Sequence, residues 1–210
     1  MSLSPSLQKI VEFRGIEKLV AARVLTDDNG DDGYTTGDVF AIGGVATVEK
    51  ETESSSAAHY YDNIPAVVIQ AVGADTITLN VSALPLDVAA ELTGQYYDET
   101  TGMLVDGPRE ERYHAIGYIA KNTAGEEIYV WRLKGMFAIP SNTHNTENDS
   151  TDANGQELTY TGVRTIHKFT KTGHGANGIT VNTAKDLADV STFFDEVTTP
   201  DTLEPKTTTP

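Results

Sequence analysis

Residues 76–82 read Thr-Ile-Thr-Leu-Asn-Val-Ser, an unbroken alternation that puts Ile77, Leu79 and Val81 on one face and Thr76, Thr78, Asn80 and Ser82 on the other. A period of two belongs to a half-buried β-strand, and such a strand demands a sheet with one core face and one wet face. The neighbouring runs repeat the theme. Ile16–Leu25 reads as a strand because Thr26–Gly33 then breaks it with turn chemistry. Val45–Val48 leads into Glu49–Glu53, and Pro65–Val72 precedes Gly73. Arg112–Ala120 and Glu127–Ile139 flank Asn122-Thr123-Ala124-Gly125, a hairpin connection, and a further strand is expected from Leu158 to Thr170. Between them Pro85 opens a short helix, Asp87 suits its positive end, and Gly94 terminates it; Leu84, Val88, Leu92 and Ala89 give it one apolar face. The expectation is a mainly β fold, a β-sandwich or rolled sheet with one flanking α-helix.

A chain of 210 residues fits one domain with arms. The β domain is expected over 15–172, behind an N-terminal arm at 1–14. After Gly173 the character changes, and a C-terminal arm follows over 173–210. Leu187, Val190 and Phe194 recur there at helical spacing within 182–197, and the end is rich in Thr and Pro. So few apolar residues cannot bury a second core, so both arms are expected to be held by neighbouring material. Residues 141–155 carry no apolar residue except Ala153 and read as an exposed loop or partner-binding segment.

The chain has no cysteine, which excludes disulfides, thiolate zinc sites, iron–sulfur clusters and a cysteine nucleophile. Its net charge of −16 has the wrong sign for attraction to nucleic acid or an anionic lipid surface. The leading MSLSPSLQKIVEFRG lacks the pattern of a secretory signal, and no run approaches the ~20 apolar residues of a membrane span. A cytosol-like compartment and no membrane partner are expected. Gly173-His174-Gly175-Ala176-Asn177-Gly178 matches a dinucleotide fingerprint in letters only; no second strand follows to complete a βαβ unit, and a hinge leaving the sheet is the better reading. The acidic run from Asp27 to Asp38 departs from a calcium loop at its sixth and twelfth positions, where Asp32 and Asp38 stand, and reads as a solvated turn. The five histidines are scattered, and nothing assembles a nucleophile, a base and an orienting group. No catalytic residue, cofactor or metal is expected.

Two features ask for a different kind of function. Glu49, Glu51 and Glu53 share one face of a strand, about 7 Å apart, an arrangement a packed sheet avoids; it is either an ordinary solvated face or a deliberately anionic surface. Trp131, the single tryptophan, lies with Tyr129 and Leu133 on one face of its strand, and suits core packing, a subunit interface or a ligand platform. Tyr60-Tyr61 and Tyr96-Tyr97 fit strand edges or an interface.

The order of four blocks carries a resemblance: Ser82–Gly94 (SALPLDVAAELTG), Asp98–Val105, Arg112–Tyr118, and Glu127–Phe137. Together they resemble the major tail, or tail tube, proteins of long-tailed, non-contractile bacteriophages, over roughly residues 15–170. The resemblance implies a structural subunit of the virion tail, six copies of which form a ring whose inner strands join into one barrel. It implies rings stacked into the conduit for genome ejection, assembly in the host cytoplasm, and tape-measure, terminator and tip proteins as partners. On that reading Glu49, Glu51 and Glu53 face a lumen through which double-stranded DNA passes without sticking. Trp131, Leu187, Val190 and Phe194 then make contacts between copies. The competing reading is a monomeric β-sandwich module that binds a surface or a carbohydrate on Trp131 and the tyrosine pairs.

Overall fold

Ten strands and one helix follow one another in the computed structural model, which describes residues 11–30, 32–61, 64–141 and 155–207 and, for 57–61 and 64–72, the backbone alone. They are β1 (Phe13–Asp27), β2 (Tyr34–Ala41), β3 (Val45–Tyr61), β4 (Ile64–Val81), α1 (Leu86–Thr93), β5 (Tyr96–Asp98), β6 (Met103–Val105), β7 (His114–Asn122), β8 (Glu127–Phe137), β9 (Gln156–Gly162) and β10 (Gly178–Asn182). The loop expected at 141–155 lies almost wholly outside the described residues, as does the N-terminal arm up to residue 10.

An antiparallel sheet in the order β2-β1-β7-β8-β9-β4-β3 forms the body, and β10 adds to β8 beside β9; β5 and β6 make a separate two-stranded ribbon. The alternation in β4 is realised as its residues imply: Ile77 and Leu79 are fully buried and pair across from Tyr160 and Leu158 of β9. They belong to a first core, which also takes Leu19 and Ala21 of β1, Ile116 and Tyr118 of β7, and Val130 and Phe137 of β8. Two halves of one sheet therefore close over a shared interior as a β-sandwich. Helix α1 covers that interior with Ala89 and Leu92, helped by Leu84 and Val88. It stops where expected, because Gly94 takes the left-handed conformation (φ +75°) and donates its N–H to Ala90 O at 2.8 Å. A Cβ at that position would also lie 2.0 Å from the Glu110 carbonyl oxygen.

A second core lies on the opposite face of β1, β7 and β8, where the alternate residues Ala22, Ala115, Trp131 and Leu133 point. Residues from the C-terminal third cover it: Phe169, Phe193 and Val197 are buried, and Ile179, Val181, Phe194 and Leu203 pack around them. This departs from the expectation for 173–210. The segment is docked on its own sheet rather than extended, and it adds strand β10, whose Gly178 lies so close to Trp131 that a Cβ would sit 2.4 Å from the Trp131 carbonyl oxygen.

Three element assignments also need correction. Where the spacing over 182–197 allows a short helix, the chain forms a 3₁₀ turn at Thr183–Lys185 followed by further tight turns, such as Phe193 N–H to Val190 O and Asp195 N–H to Thr192 O. Thr183, Val190, Thr192 and Val197 are β-branched and disfavour an α-helix, and of the spaced apolar residues only Val190 and Phe194 turn to the second core. The strand expected over Leu158–Thr170 ends at Gly162, because the next residues are drawn away to the β1–β2 turn. Pro65–Val72 and Thr76–Ser82, read as two strands, are one strand running through Gly73.

Candidate functional site

The outer face of β9, β4 and β3 is a wall of hydroxyls and carboxylates. Register pairs Glu49 with Thr78 and Glu51 with Thr76, Thr47 with Asn80, and carries the same rows onto Thr159, Thr161 and Glu157 of β9. Glu49, Glu51 and Glu157 are exposed, and the intervening cation, Lys50, points to the other side, where it pairs with Ile77 and reaches Asp75. Over these rows the wall has acids and no base. Glu53 is exposed as well, but it falls in a register shift between Thr52 and Ser54, beside Gly73. It therefore sits at the end of the row and not squarely within it. Glu157 was invisible to the sequence reading, since only register brings it beside β4.

Beyond that shift β3 and β4 continue as a long two-stranded arm. Ser54 to Tyr61 pairs with Val72 to Ile64, whereas β9 reaches β4 only from Asp75 to Val81. Among the described residues the arm pairs only with itself. Tyr60-Tyr61 sits at its tip, with side chains outside the described part.

A buried charge cluster marks the root of the arm. Asp75 is 2% exposed; its carboxylate accepts from Thr52 Oγ1 at 2.6 Å and lies 3.2 Å from Lys50 Nζ and 3.3 Å from Arg132 Nη1. Burial alone would raise its pKa, but the Thr52 and Lys50 hydrogen bonds and the two nearby cations hold it below the ordinary carboxylate value. Three strands are thereby fastened where the arm departs.

The acidic β1–β2 turn is a clasp. Asp27 accepts the N–H groups of Ile166 and His167 and binds Lys134 Nζ at 2.6 Å, and Asn29 accepts from Lys168 N. Burial pushes the Asp27 pKa up, yet those two backbone donors and Lys134 outweigh it and hold it low. The solvated turn expected from the sequence is in part a buried fastener. Its partners lie some 140 positions downstream, and no local pattern announces them. At the other flank His114 is fully buried, its ring between Phe40 and Phe137 and its Nε2 3.5 Å from Glu91 Oε1. Burial lowers its pKa despite Glu91, so it is neutral at pH 7.

The remaining contact candidates separate. Trp131 is fully buried and donates Nε1–H to Phe193 O at 2.8 Å, so its own chain occupies the face that a ligand platform would need. Val190 and Phe194 are half-buried against the second core, Phe194 stacking on Tyr129. Leu187 alone is freely presented, at 70% exposure. Tyr96 is also exposed, on the outer face of the β5–β6 ribbon with Met103 and Val105. Among the described residues no cluster of three His, Asp or Glu side chains has a metal-ligand arrangement. The phage tail tube protein family matches the chain over residues 23–197. No curated protein matches it.

Proposed function

Because the chain belongs to the phage tail tube protein family, we propose that six copies close into a ring and that stacked rings form the tail conduit of a long-tailed, non-contractile phage. The family supports a structural subunit of the virion tail that assembles with itself and with other tail proteins. The observation that carries the finer reading is the β3–β4 arm. A two-stranded ribbon on its own is marginal in water, and this one continues for the length of Ser54–Val72 without a third strand among the described residues. Its sequence from Ser54 to Val72 holds a single charged residue, Asp62, so it lacks the charges that guard an exposed edge. A neighbouring copy supplies the missing partner.

On this reading the acidic wall of β9, β4 and β3 lines the lumen, with Glu49, Glu51 and Glu53 joined by Glu157. Six copies at −16 each carry −96 together, and a lumen without cations lets double-stranded DNA pass without binding. Assembly occurs in the host cytoplasm, with tape-measure, terminator and tip proteins as the other partners. The competing reading, a monomeric surface- or carbohydrate-binding module, is the weaker one because Trp131, part of its platform, is covered by Phe193 and Phe194.

Electron microscopy tests the reading directly. The purified chain should form rings and tubes. A variant in which Asn-Gly replaces Ser56–Gln70, leaving the Ser55–Ala71 pair to flank a tight turn, should melt within about 3 °C of the parent yet form none. Tubes from the shortened chain, or only monomers from the parent at high concentration, would overturn it.

A further inference from the structure

Between the leading half of β1 and the leading half of β3 lies a groove lined by Phe13, Gly15, Ile16, Ala46, Val48 and Tyr118. Phe13 is 76% exposed at its rim. Nothing in the described chain fills the groove, because β2 joins β1 only from Val20 onward and β3 is the last strand of the sheet. The edge of β1 is a poor template for another strand. Its pairing with β7 shifts twice, between Phe13 and Ile16 and between Glu17 and Val20, and Gly15 and Lys18 take positive φ of 112° and 52°. What the groove offers is an apolar floor for side chains.

Resting on the self-assembly reading, we propose that the groove receives Leu3, Leu7 and Ile10 from residues 1–10 of a second copy of this chain. In sequence the segment precedes the groove's own rim, and Glu12, between them, is held elsewhere. Glu12 is tied to the β7–β8 turn in both directions, its N–H donating to Thr123 Oγ1 at 3.1 Å and its carbonyl accepting from Thr123 N at 2.8 Å, one step past the Phe13–Asn122 pair. Gln8-Lys9-Ile10-Val11 contains no Gly, Pro, Asn or Asp, and Ile-Val resists a tight reversal. Ten residues reach as far as about 35 Å, ample to span to an adjacent subunit. Charge agrees: residues 1–10 hold Lys9 and no carboxylate, so they approach an acidic neighbour without repulsion.

Since the chain has no cysteine, crosslinking gives a clean test. Leu7→Cys and Ala46→Cys are prepared as separate full-length variants of different tag size, mixed in equal amounts under tube-forming conditions and mildly oxidised. The mixed disulfide dimer should exceed either same-variant dimer at least about fivefold, as a docked pair has an effective concentration far above that of chance encounters. A statistical mixture of the three dimers, or tubes with no crosslink, overturns this proposal alone. So does an intramolecular disulfide in the double variant, which would place the segment in its own groove. Failure of the unmodified chain to form tubes at any concentration removes the reading beneath it as well.

Discussion

The C-terminal segment from Val163 to Thr207 and the β3–β4 arm exchange the roles that their compositions suggest. The first is rich in Thr and Asp and looks like a solvated tail, yet Phe169, Phe193 and Val197 are buried on the sheet. The second is apolar and regular and looks like ordinary core strands, yet it leaves the sheet and pairs only with itself among the described residues. The difference lies in the surface offered, not in the average polarity of the segment. Trp131, Leu133 and Ala115 present a complementary apolar face to five or so C-terminal side chains, and a few well-placed aromatics suffice to order many polar residues around them. The arm's sequence specifies a strand just as firmly, but among the described residues no third strand meets it.

Removing the anchor of the docked segment should break this contrast most visibly. Trp131→Ala empties a fully buried site, leaves the Phe193 carbonyl with only the Thr198 hydroxyl as donor and strips support from Phe194. A loss of about 3–5 kcal/mol is expected, measured by denaturant unfolding, with Phe193 and Val197 becoming accessible together. If the C-terminal segment were instead held by neighbouring copies, the isolated subunit would scarcely notice the change.

A middle-sized effect belongs to the root of the arm. Asp75→Asn should cost about 2–3 kcal/mol, because Lys50 and Arg132 are left partly buried without their counter-charge. The folded pKa of Asp75 is depressed, so its contribution is complete above the ordinary carboxylate value near 4 and is lost as pH falls through the folded value. The gap between parent and variant should therefore be constant from about pH 5 to 7 and narrow below about pH 3. Hydrogen exchange in 54–72 should quicken in the variant while the Leu79–Leu158 region stays protected, provided the cluster fixes the arm and not the core. Uniform acceleration across the sheet would show a merely structural role.

What was legible from the sequence follows physical range. Periods of two and the Pro85–Gly94 signals are local, and the strand through Thr76–Val81 and α1 appear where those residues place them. Trp131 with Tyr129 and Leu133 on one face was readable too, though not the Phe193 carbonyl that satisfies its indole. Long-range fasteners were not: Asp27 to His167, Asp75 to Arg132, and the register that sets Glu157 beside Asn80 depend on which strands become neighbours. The misread helix near Val190–Phe194 shows the limit of spacing as a signal, since a chain of tight turns repeats every three to four residues as well.

The smallest effect on the subunit should come from the acidic wall, and it sharpens the comparison by separating folding from use. Glu49 and Glu51 are exposed opposite Thr78 and Thr76, and Glu53 is exposed at the register shift; none is packed, so replacing all three by lysine should change stability by less than about 1 kcal/mol. The subunit charge moves from −16 to −10, and every new cation lies on or at the end of one face. At physiological salt the screening length is about 8 Å, so charges on the outside of a tube would leave passing DNA indifferent, whereas charges on the lumen wall would meet phosphates directly. Tails built from the triple variant should therefore assemble normally but eject DNA slowly at low salt and recover as salt rises, because each phosphate contact weakens with ionic strength. Normal ejection at low salt would move the wall to the tube's exterior, while the arm and the docked C-terminal segment would keep the roles that their burial assigns them.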